Sequence, residues 1–308
     1  ADKSFDRKAI GKLNRIIKKE NPDIVHTHGT VTGRISGKLC GKKVVYTRHS
    51  VFPVSPRIKK GLGRMLNKYL NEFLADDIIA VAEAAKENLT EGGIAPEKIK
   101  VILNGVEPLQ KASQQEIDSM KEKYHISQKD FVIGILARLD AVKGHQYLIE
   151  AAQELKKEGR SFKVLIAGTG ENEQTLKALV KQKQLEDTVI FTGFLSEVRV
   201  FLSILDIQAN ASYGTEATSL ALLEGMSIGL PAVVSNYGGN PGVIIHGENG
   251  YLFESQNSQD LLNYLKKAMD DTKTYQYMQK RAKEIFQQKF IAKMYARNIE
   301  KVYEGLFS

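Results

Sequence analysis

Tryptophan is absent from this 308-residue chain, cysteine occurs once and proline only seven times. The single Cys40 excludes an intrachain disulfide and fits a reducing, cytoplasmic setting. So few prolines leave long stretches free to run as uninterrupted helix. No apolar run approaches the roughly 20 residues that cross a bilayer, so no membrane-spanning helix is expected. The most local shortage is of acid. Between Asp23 and Glu72 there is none, against ten basic residues. The formal net charge of +8 therefore resides in residues 1–108, which hold 20 Lys/Arg and 12 Asp/Glu, while residues 109–308 hold 24 of each. Such a surface attracts phosphates or anionic lipid headgroups, and the expected setting is peripheral, at the inner face of a membrane. No nucleic-acid-recognition motif accompanies the charge, so nucleic acid is not an expected partner.

The 42% of hydrophobic residues is ample for packed cores, and this length predicts two of them. Short β-branched runs ("DIVHTH", "KKVVYTRH", "DIIAVA", "KIKVILNGV", then "FVIGILARL", "FKVLIAGTG", "TVIFTGF", "DIQANAS", "PAVVSN") alternate with helical stretches such as 144–158 and 172–184. That rhythm predicts an α/β architecture of two Rossmann-like domains, each a parallel sheet with helices on its faces. The expected divisions are residues 1–108, 109–285, and a terminal helix over 286–308 packing back on the first domain. The expected linker is 107–118, and 272–308 reads as helical throughout.

In open parallel sheets, ligands bind beyond the carboxyl ends of the strands. There the chain places His26 and His28, Arg48 and His49, Arg138 and Lys143, and the stretch "YGTEATSLALLEGMSIGLPAVVSNYGG". A helix starting near Thr218 would offer the N–H groups of Thr218, Ser219 and Leu220 to an anion. Glu216 would lie just before that helix and Glu224 about two turns along, on the order of 9–12 Å away. A pair closing on one bond needs roughly 5–9.5 Å, so these two suit an extended ligand with hydroxyl groups at both ends and phosphate between. A nucleoside-diphosphate sugar has that layout. Arg138 and Lys143 would neutralise its diphosphate, and Gly238 and Gly239 allow close backbone approach to a ligand. His26 and His28, two apart without a nearby carboxylate, make a weak metal pair and read as structural. "IAGTGENE" lacks the third glycine and the distant acid of a dinucleotide fingerprint.

"ARLDAVKG" and "EATSLALLEGMSIGLPAVVSNYGGNPGVIIHGENGYLF" together resemble the donor-binding half of family 4 glycosyltransferases, the retaining enzymes of the GT-B fold (glycosyl transferases group 1). "DIVHTHG" and "VILNGVEP" resemble landmarks of the acceptor-side domain. The resemblance implies a retaining, metal-independent hexosyltransferase with no cofactor beyond its nucleotide-sugar donor. It implies a hydroxyl acceptor on a cell-surface glycan or a lipid. By the same resemblance Glu216 lies near the transferred sugar, Glu224 holds the ribose hydroxyls, and His49 contacts the donor sugar. Arg138 and Lys143 meet the diphosphate, backbone at Leu195 faces the base, and Thr218 to Leu220 face the distal phosphate.

Two departures accompany the resemblance. Gly242 stands where the family commonly has a glutamate after Gly-Gly-x-Pro. About 25 residues precede "HTHG", where family members have two further strand–helix units, so the first domain is expected to be truncated and to expose a sheet edge. The alternative function is a nucleotide-sugar-binding or accessory protein of the same fold.

Overall fold

The computed structural model describes residues 5–308, which fall into two compact units. Unit 1 comprises the chain up to Asn104 together with Lys293–Ser308, and unit 2 comprises Gly105–Ala292.

Unit 1 contains a four-stranded parallel sheet in the order β1 (Ile24–His28), β2 (Lys43–Arg48), β3 (Asp77–Ala80), β4 (Ile99–Val101). Alternate residues of these strands face opposite sides. Val45, Ile79 and Ile102 lie under Ile299 and Val302 of the last helix, Ala292–Glu304. Tyr303 of that helix hydrogen-bonds His26 of β1 at 2.6 Å. The end of the chain therefore covers one face of a sheet formed by its beginning. The strand β1 forms one edge of that sheet.

Unit 2 is larger. Its parallel sheet runs β10-β9-β8-β5-β6-β7, with β5 Phe131–Leu136, β6 Phe162–Ala167, β7 Val189–Gly193, β8 Ile207–Asn210, β9 Ala232–Ser235 and β10 Gly250–Phe253. The strands are nearly continuous apolar runs because both faces are covered. Ile133, Val164, Ile166, Ile207 and Val233 join the core under helices His145–Lys157 and Ser258–Asp270. Val132, Leu165 and Ala167 face the other way, against Ile117, Phe201 and Leu202. From β5 the chain winds one way through β6 and β7, then returns to lay β8 on the other side of β5. The crevice between the carboxyl ends of β5 and β8 is thus a topological switch point, where such sheets bind ligands.

Two expectations need correction. The stretch 107–118 is no free tether: Leu109 and Ala112 donate backbone N–H groups to the hydroxyls of Ser227 and Ser203, and a capped helix, Gln114–Lys123, follows. Residues 272–308 form two helices, Thr272–Lys289 and Ala292–Glu304. The break has a backbone cause. Val106 N–H donates to Phe290 O at 2.9 Å and Ala292 N–H donates to Val106 O at 3.0 Å, so residues 290–292 pair with an extended segment instead of continuing as helix. The structure thus brings together on unit 2 the two points where the chain passes between units.

Ile299, 8% exposed, is a central contact of the terminal helix. Ile299→Ala should destabilise unit 1 by about 2–4 kcal/mol, as cavity-forming core truncations do. Urea unfolding followed by circular dichroism would measure it, and a loss under about 0.5 kcal/mol would mean that the helix is not part of that core.

Candidate active site

The loop after β5 carries Arg138 and Lys143, and the loop after β8 carries Glu216. The switch point sets these loops side by side, and backbone contacts join them. Tyr213 N–H donates to Val142 O at 2.9 Å. Gly144 takes φ +69°, and a Cβ there would lie 2.1 Å from Ala211 O. The consequence is a direct contact: Lys143 Nζ donates to Glu216 Oε2 at 2.7 Å. The side chains are only 16% and 8% exposed. Ser212 Oγ also donates to that carboxylate oxygen, at 3.0 Å.

Glu216 is held from behind as well. Gly239 N–H donates to its carbonyl at 3.2 Å. A Cβ on Gly238, itself at φ +57°, would lie 2.1 Å from Glu216 O, and one on Gly239 would lie 1.5 Å from Ala217 O. The two glycines therefore admit the chain's own backbone, not only a ligand's. Thr215, just before Glu216, sits at φ +59°. Such backbone costs a non-glycine residue about 1 kcal/mol or more and persists only where its surroundings enforce it.

The helix expected from Thr218 begins at Leu220 and ends at Ser227, with Ser219 as its cap. The Ser219 hydroxyl accepts from Leu222 N–H at 3.4 Å. Thr218 and Ser219 thus precede the helix, and Leu220 is its first residue. Glu224 consequently lies one turn into the helix rather than two turns beyond Glu216. It is half-buried, no side-chain partner is found for its carboxylate among the described residues, and burial raises its pKa. Arg138 is 74% exposed and paired with Asp140 at 2.8 Å. Leu195 is half-buried against the core that contains Phe201 and Leu205.

The glycines of "IAGTG" have a structural explanation. A Cβ on Gly168 would lie 2.0 Å from Ala137 O, and one on Gly170 would lie 2.6 Å from Leu139 O. They let the loop after β6 pack under the loop that carries Arg138. His145 escaped the sequence reading. It is 1% exposed, its ring nitrogens find no partner among the described residues, and burial first, then Lys143, lowers its pKa to about 4. A neutral imidazole therefore lies beneath the site at pH 7.

In unit 1, His49 follows β2 and is exposed. Its Nε2 shares a proton with His28 Nδ1 at 2.7 Å. Partial desolvation of its ring, although the residue as a whole is exposed, and then His28 lower the His49 pKa. His28 stacks on His26, with ring centroids 4.6 Å apart. His26 is fixed by Tyr303 and by the Thr47 hydroxyl, the latter at 2.6 Å, and its pKa falls to about 4 through burial, then His28. His28, expected to be only structural, thus orients His49. Among the described residues no group of three or more His, Cys, Asp or Glu is arranged to hold a metal ion.

The two cations differ sharply in what their loss should do to folding. Lys143→Met leaves the Glu216 carboxylate buried without its ion-pair partner and should cost about 3 kcal/mol or more. Arg138→Met removes an exposed pair and should change stability by under about 1 kcal/mol. Thermal unfolding of both variants is the check; equal losses would contradict the buried pair.

Comparison with known proteins gives this geometry a family. Residues 116–285 match the family described as Glycosyl transferases group 1, and residues 1–109 match Glycosyltransferase Family 4. The Escherichia coli UDP-Gal:alpha-D-GlcNAc-diphosphoundecaprenol alpha-1,3-galactosyltransferase is 31% identical over 278 residues, 86% of this chain and 71% of that protein. The Bacillus anthracis N-acetyl-alpha-D-glucosaminyl L-malate synthase is 24% identical over 306 residues, 97% of this chain and 79% of that protein. Among solved structures, Anabaena HepE in complex with UDP superposes with a TM-score of 0.85 at 24% identity, over 96% of this chain and 82% of the other, a likeness of fold. The fold is GT-B, and the chain belongs to the group 1 glycosyl transferases, family 4 of the glycosyltransferases.

Proposed function

We propose that this glycosyltransferase moves a hexose from a nucleoside-diphosphate sugar to a hydroxyl acceptor with retention of configuration. The observation that carries the reading is the composition of the switch-point site. A half-buried carboxylate (Glu224) with no partner among the described residues stands one turn into a helix, and a buried Lys143–Glu216 pair lies in the loops before it. An unpaired carboxylate in a partly dry site gains by accepting hydrogen bonds, and the vicinal hydroxyls of a ribose supply two. Arg138 and Lys143 would carry the diphosphate, and Gly238, Gly239 and the backbone from Thr218 to Leu220 would border the phosphate and sugar. Leu195 would face the base.

In the proposed reaction the bond from the sugar C1 to the leaving phosphate oxygen breaks, and the electron pair goes to that oxygen. Arg138 and Lys143 stabilise the growing charge without a metal ion. The acceptor hydroxyl attacks the same face of C1 and passes its proton to the departing phosphate. Glu216 would meet the transferred sugar. Complexes of HepE with UDP and with UDP-glucose, and the UDP-galactose in the name of the Escherichia coli relative, support the donor class. That relative's diphosphoundecaprenol acceptor supports a lipid-linked or cell-surface glycan acceptor. Gly242 favours the second reading, binding without transfer, although a Cβ there meets nothing within 4 Å.

Release of nucleoside diphosphate from a panel of UDP-, GDP- and ADP-sugars tests the reading, with product configuration read by NMR. Glu216→Gln should lower turnover with little change in nucleotide affinity. Glu224→Ala and Arg138→Ala should each weaken nucleoside diphosphate binding by about 1.5–3 kcal/mol. Binding without release, in the presence of acceptor extract, would favour the accessory protein, and an inverted product would exclude retention.

The same reading sets the protein at an anionic membrane surface. Helix Gly61–Leu74 exposes Leu62, Met65, Leu66, Tyr69 and Phe73, a stripe recurring every three or four residues. Arg57 and Lys60 just before it, and Lys68 within it, have no carboxylate partner among the described residues. An apolar stripe flanked by cations suits the interface of an anionic bilayer. Vesicles containing phosphatidylserine should sediment the protein at low salt, and Leu66→Glu with Tyr69→Glu should reduce this at least fivefold. Equal binding to neutral vesicles would contradict it.

A further inference from the structure

Unit 1 holds a pocket of about 360 Å³ at the carboxyl ends of β1 and β2. Gly29 and Arg48, next in sequence to His28 and His49, are among its lining residues. Its chemistry is one-sided. Arg34 and Arg48 line it, and none of the lining residues is acidic. Arg34, on helix Val31–Leu39, is 4% exposed. Its guanidinium donates only to neutral groups, the Thr30 carbonyl at 3.4 Å and Asn71 Oδ1 at 2.7 Å, and lies 4.2 Å over the Tyr46 ring. Arg48 donates to Asn88 Oδ1 at 3.2 Å and lies 4.9 Å from the Phe52 ring centre, while its Nε is buried without an acceptor among the described residues. Burial first, and also the Arg48 charge, lowers the Arg34 pKa.

Buried charges are normally paired, because an ion removed from water without a counter-ion is costly. Here two guanidinium groups share one pocket, and neither has a carboxylate within 4.0 Å among the described residues. An anion in the pocket would offset that cost. We propose that this pocket binds an anionic group of the acceptor, a phosphate or a carboxylate, with Arg34 and Arg48 as its counter-charges. This rests on the reading of the chain as a transferase with a hydroxyl acceptor and adds the acceptor's charge. Asn67 and Asn88, whose amide nitrogens each donate one N–H to a backbone carbonyl (Gly92 and Phe52), would have a second N–H for the anion, and Phe52, Leu70 and Ile94 give an apolar wall for what is attached to it.

The two sources, phosphate and carboxylate, are distinguished by calorimetric titration in 150 mM salt. UDP is kept at saturation, so that the switch-point site cannot take the probe. Inorganic pyrophosphate is titrated in one arm and L-malate in the other. At least one should bind, and Arg48→Gln should weaken it tenfold or more while UDP affinity stays within twofold. Pyrophosphate binding assigns a phosphorylated acceptor, and malate binding without pyrophosphate binding assigns a carboxylate. Arg34→Gln should behave alike; if that buried variant fails to fold, the half-buried Arg48 carries the test. Absence of binding in both arms, or binding indifferent to Arg48→Gln, overturns the proposal. Failure of UDP to bind would count against the donor site instead, and the pyrophosphate titration with Arg48→Gln would still decide the pocket.

Discussion

A lysine and a glutamate in contact inside unit 2 set the terms for the rest of the site. The Lys143–Glu216 pair is only slightly exposed. Burial makes such a pair costly to form and more costly to leave half-made. The surrounding backbone is arranged to hold it. Gly144 lets the first loop lie on Ala211, Gly238 and Gly239 let a third loop lie on Glu216 and Ala217, and Thr215 accepts a strained conformation between them. The Ser212 hydroxyl gives the carboxylate a second hydrogen bond. No one of these contacts makes a site. Together they fix a carboxylate and an ammonium beside the start of a helix.

The sheet explains why these loops are neighbours. Parallel strands carry their outgoing loops at one end, and the reversal between β5 and β8 opens a crevice there. Around it the groups are of two kinds. Lys143 and Glu216 satisfy each other, whereas Glu224 has no side-chain partner among the described residues and Arg138 lies largely in water. The satisfied pair gives the site its shape, and the less committed groups are those with most to gain from a ligand. In the proposed reaction, Lys143 keeps further N–H groups that a phosphate oxygen can accept while Glu216 keeps one.

Much of this was legible in the sequence, and the limits have physical causes. The strand runs, the two-sheet architecture and the four residues Arg138, Lys143, Glu216 and Glu224 follow from period, spacing and position after strands. What the sequence could not carry was contact between loops. It assigned Lys143 to a phosphate and Glu216 to a sugar, and nothing in a one-dimensional reading says that they touch. The helix begins at Leu220 because the Ser219 hydroxyl caps it, a choice among several neighbouring polar residues. The terminal helix breaks at 290–291 because Val106, nearly two hundred residues earlier, takes its backbone hydrogen bonds. Gly238 and Gly239 are expected from the sequence to let backbone approach a ligand; what they admit in the structure is the chain's own backbone at Glu216 and Ala217. Arg34 and Arg48 looked like two members of a basic stretch, and only folding brings them into one pocket.

The switch-point crevice of unit 2 is proposed as a nucleoside-diphosphate site. A crystal structure with UDP tests it most directly. Diphosphate oxygens are expected within hydrogen-bonding distance, about 3 Å, of Arg138 and Lys143, and both ribose hydroxyls on the Glu224 carboxylate. A nucleotide bound elsewhere, or one whose ribose leaves Glu224 unpartnered, would contradict it.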